Sequence, residues 1–105
     1  MGKKVIYVAG ATDGPPQNLM DLHAAAAEVE ARGFIALSPT CLPKGLTDKK
    51  RGQILTAMVQ SADAVLMLKN WPSSKDATFA RTYCTYIDKL YSTNLDVLAS
   101  VLMER

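Results

Sequence analysis

The sequence has little of what disulfide scaffolds, metal sites and membrane spans require. Its 105 residues include two cysteines, Cys41 and Cys84, and one histidine, with no CxxC spacing and no Cys/His cluster. A disulfide framework and a structural zinc site are therefore not expected. No apolar run approaches the roughly 20 residues that cross a bilayer. These absences favour a protein of a reducing compartment, the cytoplasm, with no metal, no cofactor and no membrane contact.

An excess of one charge is also missing. There are 12 Lys and Arg residues against 10 Asp and Glu residues, for a formal net charge of +2. The longest basic run, Lys49-Lys50-Arg51, has no aromatic side chains between its charges, so nucleic acid is not an expected partner. With 49% apolar and 21% charged residues, the composition predicts a single folded domain over residues 1–105. The apolar run after Lys3-Lys4 ends at Gly10, too early for a signal peptide.

Three short apolar runs predict buried strands, at Val5–Ala9, Phe34–Leu37 and Ala64–Leu68. They are nearly continuous rather than alternating, which is typical of parallel strands that are buried on both faces. The runs begin about thirty residues apart, and each gap holds one helical pattern, as a strand-helix-strand unit requires. Right-handed crossovers then favour a small α/β fold with a four-stranded, mostly parallel sheet in the order 2-1-3-4.

The first two gaps each predict one helix. The first helix is expected to begin at Asn18, with Asp21 in the capping-box position, and to end at Gly33. The second helix is expected to follow Thr47 or Asp48, because an apolar stripe at helical spacing begins a few residues later.

The remaining chain predicts a third helix and a fourth strand. The third helix is expected to begin near Ser73 or Ser74, with Ser73 and Asp76 spaced as a capping box, and its apolar face continues to Tyr91. Residues 94–105 fit either a parallel strand from about Leu95 or a short helix. We favour the strand.

Doubly wound sheets bind ligands outside the carboxyl ends of their strands, where the strand order reverses. This rule nominates three loops, at residues 10–17, 38–47 and 69–75, all rich in Gly, Pro, Ser or Thr. The glycines of the first loop let backbone N–H groups approach a phosphate or a ribose. That loop matches neither GxGxxG nor GxxxxGK[ST], which argues against a dinucleotide site and a P-loop. A turn-rich connection without a ligand is the alternative.

The third loop carries the only tryptophan, Trp71. At this edge of the sheet its indole is suited either to stacking on a base or to covering the sheet end or a subunit contact. Ser73 and Ser74 either cap the following helix or donate hydrogen bonds to a ligand. The sequence pattern leaves these alternatives open.

Six segments match a known family in order and spacing: Lys4–Gly10, Asn18–His23, Gly33-Phe34, Ser38-Pro39, Ser61–Leu68 and Trp71–Ser74. Together they resemble DUF4406, a family of small phage and bacterial proteins related to the nucleoside 2-deoxyribosyltransferases, over residues 3–90. The resemblance implies a flavodoxin-like three-layer sandwich with a pocket for a nucleoside or nucleotide. Active relatives cleave an N-glycosidic bond with a glutamate nucleophile early in the third helix, which traps the sugar as a covalent ester.

The chain departs from the family pattern at the residue that this chemistry needs. Where the family has a Gly and then the nucleophilic Glu, this sequence has Asp76 and Ala80. A methyl group cannot attack a sugar, so we expect a nucleoside- or nucleotide-binding domain without the glutamate nucleophile. The expected ligand contacts are Gly10, Thr12, Asp13, Asn18, Trp71, Ser73 and Ser74.

Two alternatives remain. The first is an N-glycosidase or 2-deoxyribosyltransferase in which Asp76 is the substitute nucleophile or base and Asp13 is its partner carboxylate. The helix N-terminus favours a negative charge on Asp76, although the spacing of Ser73 and Asp76 also fits a plain helix cap. The second is a non-enzymatic interaction scaffold, such as a homodimer, with Trp71 and Leu42 exposed on its contact surface.

Overall fold

A single sheet forms the centre of the molecule. The structure is a computed structural model that describes residues 2–104. Within that range it has four strands, all paired in parallel, in the order β2-β1-β3-β4. The predicted fold class and strand order are confirmed. The strands are β1 (Val5–Ala9), β2 (Ile35–Leu37), β3 (Ala64–Met67) and β4 (Tyr91–Ser92).

Helices cover both faces of the sheet and make a three-layer α/β sandwich. The helices are α1 (Pro16–Ala31), α2 (Asp48–Ser61), α3 (Lys75–Tyr86) and α4 (Leu95–Met103), with 3-10 helical turns at Pro39–Cys41 and Trp71–Ser73. Successive strand side chains point to opposite faces. Ile6 and Val8 accordingly pack with α1 and α4, whereas Tyr7 and Ala9 pack with α2 and α3. None of the helices in residues 2–104 is long and apolar enough to cross a membrane.

The prediction of a strand from Leu95 is wrong, because this segment forms α4. Leu95, Leu98, Ala99 and Leu102 are buried, and their spacing of three, one and three residues places them on one helical face rather than alternating across a sheet. Asn94 caps the helix, since its side-chain oxygen accepts from the backbone N–H of Asp96 at 2.8 Å. Arg105, which the prediction included, lies outside the described residues.

The fourth strand lies in a segment that we had expected to belong to the third helix. Helix α3 ends at Tyr86, and Asp88 has a left-handed backbone with φ of 56°. The backbone N–H of Lys89 then donates to the carbonyl of Cys84 at 2.8 Å, which closes the helix end. The chain turns back to the sheet, and Tyr91 pairs with Val65.

The predicted start of α1 and the predicted capping box of α3 are corrected, whereas the start of α3 at Ser74 is one of the two predicted positions. Helix α1 begins at Pro16, two residues before Asn18, with Pro15 as N-cap and no side-chain cap. Proline suits the first helical position because its φ is already helical and its missing N–H is not needed there. Helix α3 is capped by Ser74, whose Oγ accepts from the N–H of Ala77 at 3.1 Å, so the predicted box of Ser73 and Asp76 is wrong.

The remaining boundaries lie close to the predictions. Thr47 caps α2, accepting from the N–H of Lys50 at 3.2 Å. Gly33, with φ of 89°, follows the end of α1 as a left-handed stop. Phe34 and Leu68 fall just outside β2 and β3.

Candidate functional site

The carboxyl edge of the sheet brings the first and third loops into direct contact. Asn70 in the third loop accepts a hydrogen bond from the N–H of Ala11 and donates one to the side-chain oxygen of Asn18, both at 3.2 Å. The Asn18 amide in turn donates to the carbonyl of Asp13 at 2.7 Å. We call Asn18 and Asn70 the asparagine clamp. It ties the first loop to the third loop at both ends, at Ala11 and at Asn18.

Gly10 permits this close approach. A Cβ atom at Gly10 would lie 2.8 Å from Cδ1 of Leu68 and 3.1 Å from the side-chain oxygen of Asn70. Gly10 is buried. The structure therefore places two of the predicted ligand contacts, Gly10 and Asn18, in the packing that shapes the first loop.

A cavity of about 390 Å³ opens between the loops that follow β1 and β3, the point at which the strand order reverses. We call it the carboxyl-edge cavity. Five residues that the sequence analysis proposed for ligand binding or catalysis line it. Three charged residues that the sequence analysis did not propose, from α2 and the start of α3, complete the wall. The lining residues are Thr12, Asp13, Asp48, Arg51, Ser73, Ser74, Lys75 and Asp76.

An ion pair crosses this wall. The Nε–H of Arg51 in α2 donates to Oδ2 of Asp76 in the first turn of α3 at 2.7 Å. The side chains keep only 24% and 27% of their accessible surface, so solvent screens the pair less than it screens a surface pair. Asp76 thus lies beside a cation and in the first turn of α3, where a negative charge interacts favourably with the helix dipole.

Tyr7 lies close to this pair. Its side chain points from β1 into the α2–α3 face of the core, and the residue is 1% exposed. Burial raises the pKa of the Tyr7 hydroxyl above its ordinary value, the charge of Asp76 raises it further, and the charge of Arg51 opposes the rise. The hydroxyl stays neutral in the folded protein and remains available to donate or accept a hydrogen bond.

Position 80 lies on the same face of α3 as Asp76, one turn later. Ala80 is 2% exposed and belongs to the same core cluster as Tyr7. The helix therefore directs this position into the protein beside the cavity wall, where the chain has a methyl group and not a carboxylate.

Trp71 does not line the carboxyl-edge cavity. Its ring contacts Arg81, whose guanidinium carbon is 5.1 Å from the Trp71 ring centroid and 5.8 Å from that of Tyr91. Trp71 also packs against the core cluster below α3. The stacking on a ligand that the sequence analysis expected of Trp71 stays a prediction.

Sequence reasoning missed Arg51 as a site residue and Tyr7 as the buried hydroxyl close to it. In the sequence Arg51 is the end of a basic run, and its place in the first turn after the N-cap Thr47 was the signal that it lies at the edge where the cavity forms. Tyr7 is the one polar side chain within an otherwise aliphatic strand, and this was the signal available for it.

A larger cavity, of about 550 Å³, lies between α1, α4 and the end of β3, and the ion pair of Arg32 with Asp96 forms part of its wall. None of the predicted site residues lines it, so the carboxyl-edge cavity is the better candidate site.

Within residues 2–104, no group of three or more His, Cys, Asp or Glu side chains is placed to hold a metal ion.

Comparison with known protein families shows which family this chain belongs to. The model of a domain of unknown function, DUF4406, matches residues 4–90. The chain belongs to the DUF4406 family. No curated protein matches this DUF4406 chain.

A solved structure supports the fold of this DUF4406 domain. A 2-desoxiribosyltransferase from Leishmania mexicana superposes with a TM-score of 0.65 at 18% sequence identity. The alignment covers 84% of this chain and 61% of that enzyme, so this chain spans less than two thirds of the enzyme's length. At this identity the likeness shows a shared deoxyribosyltransferase-like α/β fold.

Proposed function

We propose that this domain binds a nucleoside or nucleotide in the carboxyl-edge cavity and does not carry out covalent sugar transfer from position 80. The observation that carries the proposal is the cavity at the strand-order reversal, lined by five residues predicted from the sequence, in a deoxyribosyltransferase-like fold. Its volume of about 390 Å³ lies within the range of roughly 300–1,000 Å³ that is usual for small-molecule sites.

The lining residues supply the chemistry that a sugar requires. The carboxylate of Asp13 is exposed and accepts hydrogen bonds from hydroxyl groups. The Thr12 hydroxyl both donates and accepts, and Lys75 offers a cation to a 5′-phosphate. The carboxylates and cations are mixed, so an uncharged nucleoside and its monophosphate are both compatible with the site.

The experiment is a titration of ¹⁵N-labelled protein with nucleosides and their monophosphates, with chromatography for released base in the same samples. We expect shifts confined to residues 10–18 and 69–76, without free base. Asp13→Asn is expected to weaken binding about tenfold, since it removes charged acceptance of sugar hydroxyls. Asp88→Asn is the matched control, because Asp88 is exposed at the far end of α3 and Asn tolerates a left-handed backbone.

Absence of shifts with every ligand would contradict the proposal. The interaction scaffold would then be favoured, and light scattering on dilution would show a stable oligomer that Trp71→Ala weakens.

A second candidate, N-glycoside cleavage, is favoured by one observation. Asp76 lines the same cavity as Asp13 and lies one turn before Ala80 on α3, and a carboxylate is the nucleophile that this chemistry uses. Against it, Arg51 already occupies Oδ2 of Asp76. Base release by the wild-type protein, lost in Asp76→Asn and kept in Asp88→Asn, would identify an enzyme.

A further inference from the structure

A groove between α2 and α3 continues from the carboxyl-edge cavity. Its volume is about 360 Å³, and Asp48, Arg51, Lys75 and Asp76 line both spaces. These four residues form two ion pairs between α2 and α3, with Lys75 and Asp48 at 4.0 Å and Arg51 and Asp76 at 2.7 Å. The two pairs therefore mark the boundary between a polar cavity and its extension. We call this extension the α2–α3 groove.

Beyond the boundary Leu55 and Phe79 give the groove an apolar wall, and Lys49 and Gln53 complete its lining. Phe79 is 40% exposed. The hydroxyl of Thr56, which also lines the groove, donates to the carbonyl of Gly52 at 2.7 Å. That hydroxyl is occupied within its own helix, which lowers the polarity of the wall.

Ring stacking and a hydrogen bond fix the position of Phe79, the aromatic wall of the groove. The rings of Phe79 and Tyr83 are stacked, with centroids 5.8 Å apart and planes 7° apart. The Tyr83 hydroxyl accepts from the side-chain amide of Gln60 in α2 at 2.6 Å. A ring that stacks on Phe79 would extend an aromatic pair that is already ordered, which reduces the entropy lost on binding.

We propose that the α2–α3 groove is the subsite for the heterocyclic base of the ligand, stacked against Phe79, with its polar edge on the Arg51–Asp76 pair. This inference rests on the proposed function, because it assumes that the sugar lies in the carboxyl-edge cavity. The boundary holds two carboxylates and two cations, a balanced set that suits an uncharged heterocycle with both donors and acceptors. Arg51 offers donors to ring nitrogens and carbonyls, and Asp76 accepts from amino groups.

Gly52 provides the sharpest test. It lines the groove, and within residues 2–104 an added Cβ would have no heavy atom within 4 Å apart from its chain neighbours and the backbone of its own helix. Gly52→Leu therefore fills the groove from a helical position that tolerates leucine, and Ala57→Leu is the matched control, because Ala57 is exposed on the same helix and does not line the groove. Phe79→Ala removes the aromatic wall, with Tyr86→Ala as its control, since Tyr86 is 87% exposed on the same helix.

The probes are adenosine, cytidine and the base-free sugar methyl β-riboside, measured by ¹⁵N shifts on each variant. We expect Phe79→Ala to weaken nucleoside binding about tenfold, which is what loss of one stacking partner produces. Gly52→Leu is expected to weaken it about as much, because the leucine occupies the space of the base. The affinity of the two groove variants for the methyl riboside is expected to equal that of the wild-type protein. Both control variants are expected to bind the nucleosides as the wild-type protein does.

Two results would overturn the inference in distinguishable ways. If Asp13→Asn weakens nucleoside binding and neither groove variant changes it, the base does not bind in the groove and the proposed function still holds. A wild-type protein that binds none of the three probes would remove the proposed function and the base subsite together.

Discussion

Asn70 donates a hydrogen bond to the side chain of Asn18 at 3.2 Å, across 52 residues of chain. Its oxygen also holds the N–H of Ala11, so both ends of the first loop are tied to one side chain. Thr12 and Asp13 lie between these ends and line the carboxyl-edge cavity. The shape of the candidate site therefore depends on a residue that lies outside its wall.

Asn70→Ala is expected to release the first loop. The variant loses two side-chain hydrogen bonds and leaves their partners without them, which typically costs about 1–3 kcal/mol of unfolding free energy. Hydrogen exchange at the Ala11 amide is expected to accelerate. Thr47→Ala is the matched control, because it removes the cap of α2 at a cost of about 1 kcal/mol and leaves the first loop tied. Unchanged exchange at Ala11 in Asn70→Ala would contradict the clamp.

Two glycine substitutions are expected to have opposite effects on stability. Gly10→Ala places a Cβ 2.8 Å from Leu68, and overpacking of this kind typically costs about 1–3 kcal/mol. Gly52→Ala meets open space inside α2 and is expected to add about 0.5–1 kcal/mol, since glycine is a poor helix former. Urea unfolding measures both. If both substitutions changed the free energy of unfolding by the same amount, the contact with Leu68 would not destabilise Gly10→Ala.

The Arg51–Asp76 pair is expected to couple α2 to α3. A double-mutant cycle with Arg51→Met and Asp76→Ala should give a coupling of about 1 kcal/mol, at the upper end for partly exposed pairs, and smaller in 1 M salt. The control cycle uses Lys75 and Asp48, which are 89% and 95% exposed and should show no measurable coupling. A coupling no larger than that of the control pair would show that burial adds nothing to the Arg51–Asp76 interaction.

Stability is expected to fall at alkaline pH. Burial raises the pKa of the Cys84 thiol to about 11 from its ordinary 9.0, against an opposing effect of Lys89. The unfolded chain therefore loses this proton first, and the free energy of unfolding drops between pH 9 and pH 11 by about 1 kcal/mol per pH unit. Buried Tyr7 acts in the same direction.

Cys84→Ala should flatten this decline, as measured by urea unfolding at pH 8, 9 and 10. Cys41→Ala is the matched control because that thiol is exposed. An unchanged slope in Cys84→Ala would contradict a contribution from the buried thiol.

Ala80→Glu tests whether a catalytic pocket survives beside the core. Because Ala80 is 2% exposed, a carboxylate there is expected to cost about 2 kcal/mol or more at neutral pH and less at acidic pH, since burial raises a carboxyl pKa. In a folded variant with an intact pocket, base release from nucleosides is expected. Ala80→Gln is the control that keeps the size without the charge. A folded Ala80→Glu protein without base release would contradict a preserved catalytic pocket.

Local patterns in the sequence were enough to predict the sheet. The three apolar runs begin about thirty residues apart, which leaves room for one crossover helix between successive strands, and right-handed crossovers favour the strand order 2-1-3-4. The end of the chain was mispredicted because Leu95–Ala99 is too short for its period to be read with certainty. Burial of Leu98 and Leu102 on one face resolves it as a helix.

The loops of the site were predicted, and the partners of their side chains were not. The edge rule selected Thr12, Asp13 and Ser73 because it depends on strand ends alone. Asn18 and Asn70 are 52 residues apart, and Arg51 and Asp76 are 25 apart. Such pairs form where packed helices and loops happen to bring side chains within about 3 Å, a distance set by the packing of the whole domain and by no local pattern.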